Sequence, residues 1–135
     1  GTVLIIDDDA EKRRLIVRRL GDAGHTTIEA QGGREGLDIL KQQRIDLILL
    51  DILMPEMDGH AVLRILKSNM RTSHIPVLVI SSLQDEGSAI QCIRAGADDF
   101  LSLPVNPTLL QARVSACLLK KHLSDAEKQK SQELL

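Results

Sequence analysis

The apolar positions of this chain gather into three short unbroken runs, Val3-Leu4-Ile5-Ile6, Leu47-Ile48-Leu49-Leu50 and Val77-Leu78-Val79-Ile80. Each has the length of one strand and no polar alternation, the pattern of strands covered on both faces. Two weaker candidates, His25 to Ala30 and Asp98 to Ser102, lie between longer stretches of helical spacing. Strand and helix so alternate five times, which predicts right-handed crossovers and a parallel sheet with helices on both sides.

The helices carry readable ends. Leu15, Val17 and Leu20 belong to a first helix closed by Gly21 and Gly24, and Leu37, Ile39 and Leu40 follow the turn residues Gly32-Gly33. Gly59 opens a third helix, and Ile75-Pro76 returns the chain to extended strand. A fourth helix is expected from near Leu83 to Ala95, ending at Gly96, and Pro107 is placed to start the last. From Pro107 to Leu135 that last helix would span on the order of 43 Å, against roughly 20 Å to cross a small sheet. Leu109, Ala112, Ala116, Leu119, Leu123 and Ala126 keep a coiled-coil-like spacing that Lys130 and Glu133 interrupt. The surplus reads either as a solvated, fraying end or as the start of a signalling helix.

In a parallel α/β sheet, ligands bind outside the carboxyl ends of the strands. Asp7, Asp8 and Asp9 follow the first run, Asp51 the third strand, and Ser81-Ser82 the fourth. Carboxylates converging from two adjacent strands repel one another unless a hard, oxygen-bound cation sits among them, and Mg2+ is the natural candidate. A carboxylate beside such a metal can act as a nucleophile toward an incoming phosphoryl group. Taken singly, a strand-end Asp is more often a helix cap, the role expected of Asp9 or Asp58. The combination points to chemistry, because it joins the acidic cluster to Met54-Pro55, Asp58-Gly59 and a hydroxyl after the fourth strand.

Composition narrows the picture. At 135 residues, 43% apolar and 27% charged, the chain suits one domain with a sizeable core. A formal charge of −2 supplies no field to hold nucleic acid or an anionic membrane. Phe100 is the only aromatic residue, so base-stacking platforms are excluded. Cys92 and Cys117 form no CxxC pair and suit buried thiols in a reducing compartment. The four histidines lack ligand spacing. No run approaches the roughly 18 apolar residues of a membrane span, and no leader pattern opens the chain, so a cytoplasmic domain is expected. Lys12, Arg13, Arg14, Arg18 and Arg19 read as a solvated basic face of the first helix.

Four segments then carry a resemblance: Ile5 to Asp9, Leu49 to Gly59, Val79 to Ser82, and Ala95 to Pro104. Together they are similar to the receiver domain of two-component response regulators, over about Val3 to His122. The resemblance implies a flavodoxin-like (βα)5 doubly wound α/β sandwich, with a five-stranded parallel sheet and an extended C-terminal helix. It implies a receiver over residues 1–122 and a helical extension or linker over 123–135. It further implies that Asp51 is the phosphoacceptor, that Asp7, Asp8 and Asp51 hold Mg2+ with the backbone carbonyl of Leu53, and that Ser81 hydrogen-bonds the phosphoryl group. The resemblance also implies that Phe100 occupies the aromatic switch position. The implied partners are a histidine kinase or phosphotransfer protein and a second copy of the chain, through the face of the fourth helix, fifth strand and last helix. That face would include Ile90, Ile93, Arg94, Phe100, Leu109 and Arg113.

One position departs. Leu103 precedes Pro104 where the family pattern has a lysine that pairs with the phosphoryl oxygens. The missing charge-assisted hydrogen bond is worth roughly 1.5–3 kcal/mol. Two readings follow: a working phosphoacceptor, or a degenerate, phosphate-independent receiver acting as an interaction or dimerisation module. The receiver itself is expected not to be an enzyme, although Lys120 to Leu135 resembles linkers that precede nucleotide cyclases. A phosphatase reading of Asp7-Asp8-Asp9-Ala10-Glu11 lacks the following Thr or Val, and a P-loop reading of Leu47 to Asp51 lacks any GxxxxGK[ST].

Overall fold

The computed structural model describes residues 1–54, 57–81 and 86–134, with the side chains of residues 86–88 and 128–134 outside that description. Strands and helices alternate as β1 (Thr2–Ile6), α1 (Ala10–Asp22), β2 (Thr26–Ala30), α2 (Gly33–Gln42), β3 (Leu47–Leu50), α3 (Gly59–Ser68), β4 (Val77–Ser81), α4 (Glu86–Arg94), β5 (Asp99–Ser102) and α5 (Pro107–Leu134). The strands form one parallel sheet in the order β2-β1-β3-β4-β5. This is the doubly wound α/β architecture that the apolar runs predict.

The period-two pleat of the strands sorts their side chains into two cores. Leu4, Ile6, Ile48, Leu50, Val77 and Val79 pack with α2, α3 and α4, including Val62, Leu63, Leu66 and Cys92. Val3, Ile5, Leu47, Leu49, Leu78 and Ile80 pack with Ile16 and Leu20 of α1 and with Leu110, Val114 and Cys117 of α5. Both cysteines are thus buried packing residues, and burial, the largest cause, pushes the Cys117 thiol up to about 11.

Helix ends follow local chemistry. Asp9 caps α1 by accepting from the amides of Glu11 and Lys12, and Asp58 caps α3 by accepting from Ala61. The Asn106 carboxamide does the same for α5 through Thr108 and Leu109. Gly24 and Gly96 turn the chain after α1 and α4 at φ +91° and +108°, values that L side chains rarely adopt. The fourth helix is described from Glu86 to Arg94, and its expected start near Leu83, like Ser82, lies outside the described residues. α5 runs unbroken for 28 residues, through the boundary expected at residue 122. Lys121 pairs with Asp125 one turn on, and Asp125 lies 3.7 Å from Arg44 Nη2, so contact with the body reaches at least that far. Leu119 and Leu123 are exposed on the same helix. Among the described residues no helix is long and apolar enough to cross a membrane.

Candidate functional site

The carboxyl edge of the sheet is built by β1 and β3, which lie side by side in register, Ile6 against Leu50. The chain leaves both strands at the same level, so Asp7 and Asp51 emerge as neighbours, with the Asp51 amide donating to the Ile6 carbonyl at 3.0 Å. Both are buried, at 2% and 6% exposure, and Asp8 stands exposed at the rim. One carboxylate oxygen from each of Asp7, Asp8 and Asp51 lies within 4.8 Å of the others.

The two buried carboxylates are oriented in the same way. Asp7 Oδ1 accepts from the Asp9 amide at 2.9 Å, and Asp51 Oδ1 accepts from the Leu53 amide at 3.1 Å. Each residue spends one oxygen on the turn that follows its strand. The other oxygens, Asp7 Oδ2 and Asp51 Oδ2, both face Lys12 Nζ, at 2.9 and 3.5 Å. Burial is the main cause that pushes the Asp51 carboxyl up, to about 6; the charge and hydrogen bond of Asp7 add to it, while Lys12 and the Leu53 amide pull the other way. Three oxygen donors this close, two of them buried, fit a hard divalent cation and suit neither a soft metal nor a histidine-dependent one.

The remaining expected residues take distinct places. Ser81 is fully buried at the end of β4, beside β3, and its carbonyl accepts from the Leu103 amide. Leu53 is exposed on the loop after Asp51. Phe100 lies on β5 outside the carboxylate cluster, half-buried against the α2, α3 and α4 core. Leu103 packs on the opposite side, against the core shared by α1 and α5. Gly59, the first residue of α3, stands directly behind the site: a Cβ there would collide with the Asp51 carbonyl oxygen and the Ile52 Cα.

The reading of the first helix as a solvated basic face holds for Arg14, Arg18 and Arg19 and fails for its first turn. Arg13 is buried, donating through Nη1 to the Asp7 carbonyl at 2.7 Å and through Nε to Glu29 at 2.9 Å. Lys12 is turned into the acidic cluster. The cap locates both: a helix starting immediately after Asp9 points its first side chains back toward its own N-terminus, the edge that holds Asp7.

A second charged centre lies at the other end of the sheet. Asp98 accepts from the Val77 amide at 2.8 Å, from Lys67 Nζ at 3.3 Å and from Lys120 Nζ at 2.6 Å, tying β4, α3 and α5 together. Burial pushes its carboxyl up, but the Lys120 and Val77 hydrogen bonds and the two ammonium charges outweigh it and hold it below the usual value.

Comparison with known proteins agrees with this geometry. The model of the response regulator receiver domain matches residues 3–115. The probable transcriptional regulator ycf27 of Porphyridium aerugineum is 35% identical over 116 residues, which are 86% of this chain and 47% of that protein. The response regulator PleD of Caulobacter vibrioides is 36% identical over 128 residues, 95% of this chain and 28% of that protein. The phosphate regulon transcriptional regulatory protein PhoB of Pseudomonas aeruginosa is 34% identical over 126 residues, 93% of this chain and 55% of that protein. The chain thus spans about half or less of these relatives' length. Among solved structures, the signal receiver domain of a histidine kinase from Syntrophus aciditrophicus superposes with a TM-score of 0.81 at 35% identity, over 87% of this chain and 89% of that one. The receiver domain of NtrX from Brucella abortus does so with a TM-score of 0.81 at 30% identity, over 86% and 97%. The strand order, the carboxylates at the carboxyl edge of β1 and β3, and a family model that spans most of the chain converge: the chain belongs to the response regulator receiver domains.

Proposed function

We propose that Asp51 is the residue that accepts the phosphoryl group, from the phosphohistidine of a partner histidine kinase or phosphotransfer protein. A carboxylate oxygen of Asp51 attacks phosphorus, an acyl O–P bond forms, and the donor's N–P bond breaks with its electron pair returning to the imidazole nitrogen. The observation that carries this reading is the convergence of Asp7, Asp8 and Asp51 on one point, with Asp51 buried and its second oxygen turned into the cluster. Those three carboxylates, with the Leu53 carbonyl, would hold Mg2+. When bound, that ion neutralises charge that develops on the transferring phosphoryl oxygens.

Around the nucleophile, the Leu53 amide fixes the Asp51 carboxylate, and Ser81, at the end of the adjacent strand, would hydrogen-bond the product through its hydroxyl. Phe100, one strand further, reads that bond into the face of α4, β5 and α5, where Ile90, Ile93 and Leu109 are exposed. This face is the proposed homodimer contact. α5, continuing beyond residue 122, is the proposed connection to an output domain, a nucleotide cyclase being one candidate.

The test is incubation with Mg2+ and a small phosphodonor such as acetyl phosphate. The unsubstituted chain should gain the mass of one phosphoryl group, and Asp51→Asn should gain none. An unmodified wild-type chain would count against the reading and favour the phosphate-independent module suggested by Leu103. In that case beryllofluoride should also leave the NMR signals of Ser81 and Phe100 unmoved.

A further inference from the structure

We infer that Lys12 is the cation of the phosphoacceptor pocket, doing from α1 the work that the family pattern assigns to a lysine at position 103. The inference rests on the reading of Asp51 as phosphoacceptor for its second half only. Its first half, the pairing with the carboxylates, stands on geometry.

Position 103 can supply no charge, and the Leu103 side chain is packed away against the core under α1 and α5. The need for a cation remains, because two buried carboxylates face each other across β1 and β3. Lys12 meets that need from the third position of α1. Asp9 caps the helix and fixes where it starts, accepting from the Lys12 amide at 3.3 Å. The Cα–Cβ bond of a helical residue leans toward the N-terminus, which sends the Lys12 stem back over the end of β1. There its Nζ stands 2.9 Å from Asp7 Oδ2 and 3.5 Å from Asp51 Oδ2, with only 15% of the side chain exposed. Surface lysines rarely give up that much solvation without a partner. Asp7 Oδ1 and Asp51 Oδ1 are already occupied by backbone amides, so Lys12 bridges the oxygens that point into the pocket.

Charge counting supports the substitution. Three carboxylates against one ammonium leave an excess of two negative charges, the charge of one divalent cation. The pocket therefore keeps the ionic composition of the family pattern, with the lysine moved from the loop after β5 to the first turn of α1. Lys12 competes with Mg2+ for Asp7 Oδ2 and Asp51 Oδ2 in the resting domain. Once Asp51 carries a phosphoryl group, the flexible ammonium is within reach of the new oxygens and pairs with them instead.

The experiment compares the wild-type 135-residue chain with Lys12→Met, Leu103→Lys and the double variant. Calorimetric titration with Mg2+ alone should show Lys12→Met binding the metal about tenfold more tightly, because a competing charge has left. With acetyl phosphate at saturating Mg2+, the same variant should be phosphorylated about tenfold more slowly. Leu103→Lys in the Lys12→Met background should restore the rate. Tighter metal with slower transfer, rescued by a lysine at a different position, is a combination that a merely structural Lys12 would not produce. Unchanged Mg2+ affinity in Lys12→Met overturns the inference, as does a double variant no faster than Lys12→Met alone. If the wild-type chain itself takes up no phosphoryl group, the reading of Asp51 fails, and the Mg2+ titration still decides the place of Lys12.

Discussion

Replacing the proposed nucleophile should make the metal-free domain more stable. In the folded chain the Asp51 carboxyl is pushed from its usual 3.8 up to about 6, first by burial and then by Asp7. At neutral pH the fold holds this group ionised against its preference, at a cost of about 3 kcal/mol. Asp51→Asn removes the charge but keeps an oxygen for the Leu53 amide, while Lys12 keeps Asp7. Burying a carboxamide returns part of the gain, so the net stabilisation should be about 1–3 kcal/mol, or roughly 4–10 °C in melting temperature for a domain this size. The sign of the pH dependence follows from the raised pKa. Below 3.8 the group is neutral in both folded and unfolded chains; between 3.8 and about 6 the folded chain holds the extra proton. Wild-type stability therefore falls as pH rises through that window, relative to the variant, and the difference is constant above it. Urea unfolding of both proteins in chelator, from pH 4 to pH 8, reads this difference and cancels the titrating groups that do not interact with Asp51. A variant equal to or less stable than wild type at pH 7.5, or a difference that does not change with pH, would refute the claim that burial strains Asp51. Saturating Mg2+ should shrink the gap, since the wild-type carboxylate then has a divalent partner.

Two further outcomes are expected away from the nucleophile. Gly59→Ala should destabilise the domain by about 3 kcal/mol, because the added Cβ meets the main chain of Asp51 and Ile52, which cannot rotate away as a side chain could; a loss below about 1 kcal/mol in urea unfolding would show that the loop yields. Asp98→Asn should cost about 1–3 kcal/mol at pH 7 by removing the partner of Lys67 and Lys120. Since its pKa is held low, that contribution is present above the usual carboxylate value and is lost as pH falls through the lower folded value. The gap to wild type in thermal melts should close in acid, and a gap independent of pH would contradict the assignment.

How much of this was legible in the chain depends on position in the sheet. β1, β3 and β4 are interior strands, covered on both faces, and their apolar runs match the structure closely. β2 and β5 are the edges, with fewer neighbours and half-exposed side chains, so they wrote only a weak apolar signal. Asp7, Asp8 and Asp51 were legible because a parallel sheet delivers strand ends to one edge. Asp98 was not: its partners Val77, Lys67 and Lys120 lie 21, 31 and 22 residues away, and no local spacing records a contact made only by the folded chain.

Lys12 lies between these cases. As one of five basic residues in a helix it looks like part of a solvated face, and for Arg14, Arg18 and Arg19 that is what the helix period delivers. The cap sets it apart, since a helix capped at Asp9, directly after a buried strand, carries its first basic side chains beside the buried Asp7, which Lys12 turns inward to pair with. The absence of a lysine at position 103 sharpens the same deduction. Read alone, Leu103 predicts carboxylates that repel more strongly than is usual in the family. Read with the cap at Asp9, it predicts that a nearby cation must come from another element, and the first turn of α1 is the element that already touches both strand ends through Lys12 and Arg13. A departure from a family pattern at one charged position is thus informative about a second position, because the electrostatic demand of the buried carboxylates is unchanged by where the cation is anchored.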